Sequence, residues 1–202
     1  QRIEAALDDV IALGIPACTI FSALILSDDS TPNLKQRIAI KAQSAGLLIA
    51  GANGMGFYNV RDRVLAGGFD TRDHPYPGNV ALISQSGAGM SGIVDCEQRI
   101  QFNFAVSSGY ELTVAMEDYL DYALDLPETR VVGLFLETSR YPEKLIQAFK
   151  KANQRNIPIV VLKVGRTDLA AELAISHSGA LAGSDQCYSA LFDQYGVQRV
   201  AD

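Results

Sequence analysis

Apolar positions in this chain follow two rhythms. From Arg2 to Leu13, Ile3, Ala6, Leu7, Val10, Ile11 and Leu13 recur at helical spacing and stop at Gly14, which predicts an opening helix closed by glycine. Ala17 to Leu26 is a nearly unbroken apolar run and reads as a buried strand with its exit. Thr31-Pro32 supplies a cap and a first-turn proline ahead of a helix from about Asn33 to Ala45, with Gly46 as its stop. Leu47 to Ala50 then makes a short strand that runs into the loop Gly51-Ala52-Asn53-Gly54-Met55-Gly56. Between Arg61 and Pro77 periodicity fails, charges mix, and Gly67, Gly68, Pro75 and Pro77 intervene, so a linker is expected over 61–77.

From Gly78 onward strand and helix patterns alternate. Strands are predicted at Val80 to Ser84, Phe104 to Ser107, Val131 to Leu136, Ile159 to Lys163 and Val197 to Val200. The intervening helices are predicted at Ala88 to Arg99, Thr113 to Leu124, Pro142 to Asn153, Asp168 to Ile175 and Ser184 to Tyr195. About five short apolar strands separated by helices imply an α/β fold with a doubly wound parallel sheet covered on both faces. An α/β unit normally opens on a strand, so residues 1–60 are expected to be the closing part of a first domain whose front is missing. Residues 78–202 form the second domain.

Composition narrows the function. With 202 residues, 48% of them hydrophobic, the chain can bury a sizeable core. Seventeen basic against 23 acidic residues give a formal charge of -6, the wrong sign for nucleic-acid phosphates or anionic lipid. No apolar run approaches the ~20 residues of a membrane helix, and no signal sequence opens the chain, so a soluble, cytoplasmic protein is expected. Cys18, Cys96 and Cys187 are scattered and odd in number, which argues for small buried hydrophobes over a disulfide framework or zinc site, and no metal site is proposed. Of the two histidines, His74 sits in Asp73-His74-Pro75-Tyr76-Pro77, where solvent exposure is expected; His177 remains the candidate for chemistry.

Ligands of doubly wound sheets bind beyond the carboxyl ends of the strands. Those ends carry Ser84-Gln85-Ser86-Gly87, Ser107-Ser108-Gly109, Glu137-Thr138-Ser139-Arg140 and Lys163-Val164-Gly165-Arg166. Ser86-Gly87-Ala88-Gly89 stands between a strand and a helix, where exposed N–H groups and the helix dipole suit a phosphoryl group; taken alone it is equally a tight glycine turn. Glu137, taken alone, is equally a solvated strand-end residue. His177 precedes Ser178-Gly179-Ala180, a segment with the freedom that an imidazole needs to carry a phosphoryl group between two sites. A carboxylate such as Glu137 is suited to hold the other ring nitrogen and support positive charge on the ring.

Three segments carry a family resemblance. Ser176-His177-Ser178-Gly179-Ala180-Leu181-Ala182-Gly183 resembles S-H-[ST]-G-A-L-A-G, Leu162-Lys163-Val164-Gly165-Arg166-Thr167 resembles L-K-x-G-R-[ST], and Ile83-Ser84-Gln85-Ser86-Gly87 resembles I-S-Q-S-G. In this order and spacing they are similar to the superfamily of succinyl-CoA synthetase α subunits and NDP-forming (ADP-forming) acyl-CoA synthetases, over essentially the whole chain. The resemblance implies a flavodoxin-like, succinyl-CoA synthetase-like domain over 78–202, preceded over 1–60 by the remnant of a Rossmann-like CoA-binding domain. It implies His177 as the phosphorylated catalytic residue, Glu137 as its supporting carboxylate, and Ser86, Gly87, Ala88, Ser178 and Gly179 around the phosphate. Asn53, Ser84, Gln85, Ser108, Gly109, Tyr110, Lys163 and Arg166 are the implied CoA- or substrate-binding positions. The implied reaction joins a small carboxylic acid to CoA through an acyl phosphate. ATP or GTP with magnesium, and the ADP or GDP product, are expected to be held mainly by an ATP-grasp domain or subunit that this chain lacks. The implied assembly is an oligomer, and this fragment alone is not expected to turn over.

Two motifs depart from the family. The loop usually reading G-P-N-C-x-G is Gly51-Ala52-Asn53-Gly54-Met55-Gly56, and S-x-G-N appears as Ser107-Ser108-Gly109-Tyr110, a phenol in place of an amide. Rival readings stay open. Gly87-Ala88-Gly89-Met90-Ser91-Gly92 is formally GxGxxG with Glu111 downstream for a ribose, and Ser86, Glu137 and His177 fall in the order of a serine hydrolase without its G-x-S-x-G elbow. A regulatory CoA-sensing module that has lost catalysis is the third.

Overall fold

The computed structural model describes residues 2–165 and 185–200. Helix α1 (Arg2–Ala12), strand β1 (Ala17–Ile20), helix α2 (Leu34–Ala45) and strand β2 (Leu48–Gly51) come first, and β1 and β2 pair in parallel. β1 is shorter than its apolar run suggests. The chain leaves it at Phe21, and Leu24 takes a left-handed backbone conformation. Asn33, rather than Thr31, caps α2: its side chain accepts from the Gln36 N–H at 2.9 Å while the Gln36 side chain accepts from the Asn33 N–H at 3.0 Å. Leu7, Ile20, Leu34, Ile38 and Ile49 form the core of this unit.

β3 (Gly56–Asn59) and β4 (Val64–Gly67) form an antiparallel hairpin that adds to the edge of the large sheet. The segment 61–77 is therefore not a plain linker: it contains β4, and its remainder is tied down. The Arg72 guanidinium donates to the carbonyls of Val94, Glu97 and Ile100. His74, expected in solvent, is buried, because its ring packs edge-on against Tyr58 and Phe102 at centroid distances of 5.1 and 6.1 Å. The cysteine expectation is also corrected, since Cys18 is half-buried and Cys96 and Cys187 are exposed.

The remaining elements are β5 (Val80–Ser84), α3 (Gly87–Cys96), β6 (Phe102–Ser107), α4 (Met116–Asp125), β7 (Val131–Leu136), α5 (Pro142–Gln154), β8 (Ile159–Lys163), α6 (Asp185–Tyr195) and β9 (Gln198–Val200). The sheet runs β4-β3-β6-β5-β7-β8-β9, with β6 to β9 in that row all parallel. Counted from β5, the parallel strands lie in the order second, first, third, fourth, fifth, which is the flavodoxin-like order.

Alternation along each strand divides the core between two faces. Ala81, Ile83 and Val106 meet Met116 and Leu120 of α4, Leu145 and Phe149 of α5 and Phe192 of α6. Leu82 and Ala105 face the other way onto Met90 and Val94 of α3. The chain leaves β5 toward β6 on one side and returns to β7 on the other. The crevice between the carboxyl ends of β5 and β7 is the topological switch point, where ligands of such sheets bind.

Candidate functional site

At that switch point a cleft of about 290 Å³ opens between the strand ends and the loop after β2. Asn53, Gln85, Ser86, Gly87, Ala88, Gly109, Tyr110 and Glu137, all expected from sequence, line it, and Phe21, Gly54 and Met55 complete the wall. The structure thus gathers residues from five separate segments. His177, Arg166, Ser178 and Gly179, together with the predicted helix at 168–175, lie outside the described residues.

Ser86 is the N-cap of α3, its hydroxyl accepting from the Gly89 N–H at 3.1 Å. Its own N–H donates to the Ser84 hydroxyl, so Ser86 offers the cleft a hydroxyl rather than a backbone donor. Among the described residues, the N–H groups of Gly87 and Ala88 have no acceptor, and they sit at the positive end of the helix dipole. A Cβ on Gly87 would stand 2.7 Å from the Met55 side chain, so glycine here lets the loop after β2 close over the helix end.

Glu137 forms the facing wall, and its backbone is fixed from two sides. Its N–H donates to the Gln85 side-chain oxygen at 2.7 Å, and its carbonyl accepts from the Lys163 ammonium at 2.7 Å. Gln85 also accepts from the Thr138 N–H and donates to the Thr138 carbonyl and to Glu111, so one buried amide ties β5, β7 and the turn after β6 together. Ser84, Ser108 and Lys163 are absent from the lining. Each is fully or almost fully buried behind it, and burial holds the Lys163 ammonium below the usual lysine range.

Glu111, considered above only as a ribose ligand, has a different place. It is buried and accepts from Gln85, Ser108 and the Met116 N–H on one oxygen and from Arg140, at 2.8 Å, on the other. Burial pushes its carboxyl above the usual carboxylate range, against the pull of Gln85, Ser108 and Arg140. Its oxygens are committed to the protein, which removes the observation behind the dinucleotide reading. Glu117 was missed altogether. It is buried and one oxygen accepts from the Ser139 hydroxyl and the N–H groups of Arg140 and Tyr141, holding the turn after β7. Neither role has a local signal in the sequence: Ser108 and Met116 are close to Glu111 in the chain, but Gln85 and Arg140, like the partners of Glu117, lie more than 20 residues away. The hydrolase reading gains nothing from the one described histidine, which packs against Tyr58 and Phe102.

The cleft combines anion donors at α3 with a carboxylate opposite. An anion and a carboxylate in one cleft repel unless a cation stands between them. Such a site suits a group that is cationic while it approaches a phosphoryl ligand, and a protonated imidazole meets that description.

Residues 77–202 match the model of the succinyl-CoA ligase like flavodoxin domain. The chain is 31% identical over 188 residues to the ADP-forming acetate–CoA ligase of Methanocaldococcus jannaschii, covering 92% of this chain and 26% of that protein. It is 34% identical to the α subunit of ADP-forming acetate–CoA ligase I of Pyrococcus furiosus, over 82% of this chain and 36% of that one. Among solved structures, the dinucleotide-forming acetyl-coenzyme A synthetase 1 of Ca. Korarchaeum cryptofilum, in complex with phosphate and ADP, superposes with a TM-score of 0.83 at 28% identity. That superposition covers 100% of this chain and 43% of the other. The chain thus spans less than half the length of each of these proteins.

Proposed function

Because the chain belongs to the family of succinyl-CoA ligase like flavodoxin domains, we propose that it carries the phosphoryl-transfer site of an NDP-forming acyl-CoA synthetase. The observation that carries this reading is the shared cleft of the α3 N-terminus and Glu137 at the switch point. His177 takes a phosphoryl group from a nucleoside triphosphate, forming a P–N bond and releasing the diphosphate. A carboxylate oxygen of the acid then attacks that phosphorus, breaking the P–N bond and giving the acyl phosphate. The CoA thiolate attacks the acyl carbon and expels inorganic phosphate. In this scheme Gly87 N–H, Ala88 N–H and the Ser86 hydroxyl hold the transferring phosphoryl oxygens, and the Glu137 carboxylate supports the charged ring.

On the same reading, residues 1–60 are the closing part of a Rossmann-like CoA-binding domain, 61–77 a connection and 78–202 the ligase domain, with the sheet of the latter extended by β3 and β4. The nucleotide and its magnesium are held by an ATP-grasp domain or subunit within an oligomer. The test is acyl-CoA formation from acid, CoA and nucleoside triphosphate by the complete protein. His177→Ala abolishes it and Glu137→Gln slows it by about 10²-fold. Full activity in His177→Ala sinks the proposal.

A further inference from the structure

Tyr110, one of the implied CoA- or substrate-binding positions, stands where the family's motif has an amide. Its position is set by the backbone: Gly109, in the left-handed region at φ 61, passes so close to Ala52 that an added Cβ would lie 2.1 Å from the Ala52 carbonyl oxygen. The Tyr110 N–H then donates to that carbonyl at 2.6 Å. The Lys35 ammonium lies 4.4 Å from the centre of the ring and holds it by a cation–π contact.

Held there, Tyr110 lines two cavities at once. One is the cleft of about 290 Å³ that contains Glu137 and the α3 N-terminus. The other, of about 180 Å³, is lined by Leu24, Ile25 and Leu26 on its apolar side and by Asp29 and Lys35. Tyr110 is thus shared by the polar cleft and a second, open hollow in which Leu24 is buried while Ile25 and Leu26 are exposed. A cleft of this volume lies at the small end of ligand pockets.

We infer that Tyr110 sets the length of the acyl group: its ring bounds the reaction cleft so that the acid accepted is short, and its removal joins the cleft to the hollow lined by Leu24, Ile25 and Leu26, letting longer straight-chain acids extend along it. This rests on the function proposed above. The substrate class is a small monocarboxylate whose alkyl end abuts the Tyr110 ring while its carboxylate faces the α3 N-terminus.

The experiment is a chain-length series of acetate, butyrate, hexanoate and octanoate with the complete protein at saturating CoA. The wild type loses kcat/KM steeply beyond butyrate. Tyr110→Ala raises the octanoate-to-acetate ratio of kcat/KM by about tenfold or more, the scale on which apolar pockets discriminate methylenes, and Tyr110→Phe keeps the wild-type ratio. If Tyr110→Ala does not fold, the wild-type profile and Tyr110→Leu carry the test. A wild type that uses octanoate as well as acetate overturns the inference. So does a ratio unmoved by the substitution, including the case where only the KM for CoA rises. Failure of the underlying reading looks different: the wild type then takes no phosphoryl group from labelled nucleoside triphosphate, whichever acid is present.

Discussion

The imidazole of His74 packs against Tyr58 and Phe102, and both of its nitrogens are buried without a hydrogen-bond partner among the described residues. Burial, with the Arg72 charge nearby, holds its pKa below the ordinary value, against the weaker pull of Asp73 and Asp95. The unfolded chain therefore takes up this proton at higher pH than the folded one does, near the ordinary value of about 6.5. Stability from this site is fully present above that value and is lost as pH falls below it toward the lowered folded value, by at most about 1.4 kcal/mol per pH unit. Thermal unfolding between pH 7 and pH 5 should show the loss, and His74→Phe should flatten it. An unchanged slope in the variant means that other groups set the acid limit. The sequence concealed this burial, because a Pro-flanked Asp-His-Pro reads as solvent loop until Tyr58 and Phe102 arrive from strands that are distant in the chain.

Among the elements, the turns that bring segments together are the sensitive ones. Gly14 and Gly109 share a left-handed backbone, at φ 66 and 61, but a Cβ on Gly14 meets nothing within 4 Å while one on Gly109 meets backbone of Ala52 and Gly54. Gly14→Ala should cost only the conformational penalty, about 1–2 kcal/mol. Gly109→Ala should add overpacking and cost about 2–5 kcal/mol in all. Denaturant unfolding compares the two, and equal losses would mean that the loop after β2 yields. Element identity was readable wherever burial imposes one period: Val80 to Ser84, Val131 to Leu136 and Ile159 to Lys163 coincide with β5, β7 and β8. It failed at β3 and β4, whose glycines and mixed side chains carry little strand signal; β3 pairs with β6, a long-range event, and β4 pairs only with β3. That the Ser86 turn and Glu137 line one cleft was readable because the carboxyl ends of strands flanking a switch point open into the same crevice. The roles of Gln85, Glu111 and Glu117 were not, because each depends on partners supplied by other strands.

For the molecule as a whole, the topology gathers the lining of one cleft. The flavodoxin-like order places β5 and β7 side by side, so the N-terminus of α3 and Glu137 open into one cleft, with the unit built on β1 and β2 covering its far side. No helix among the described residues is long and apolar enough to cross a membrane. The chain spans 26% of the Methanocaldococcus jannaschii ligase; the function proposed above assigns nucleotide activation to an ATP-grasp domain or subunit. The most direct test of the central claim is covalent. The complete protein, incubated with magnesium and a nucleoside triphosphate labelled in its terminal phosphate, should acquire a phosphoryl group that is labile in acid and stable in base, as expected of a P–N bond, and His177→Ala should acquire none. Label retained at unchanged stoichiometry in His177→Ala, or found on Ser86, would contradict the account.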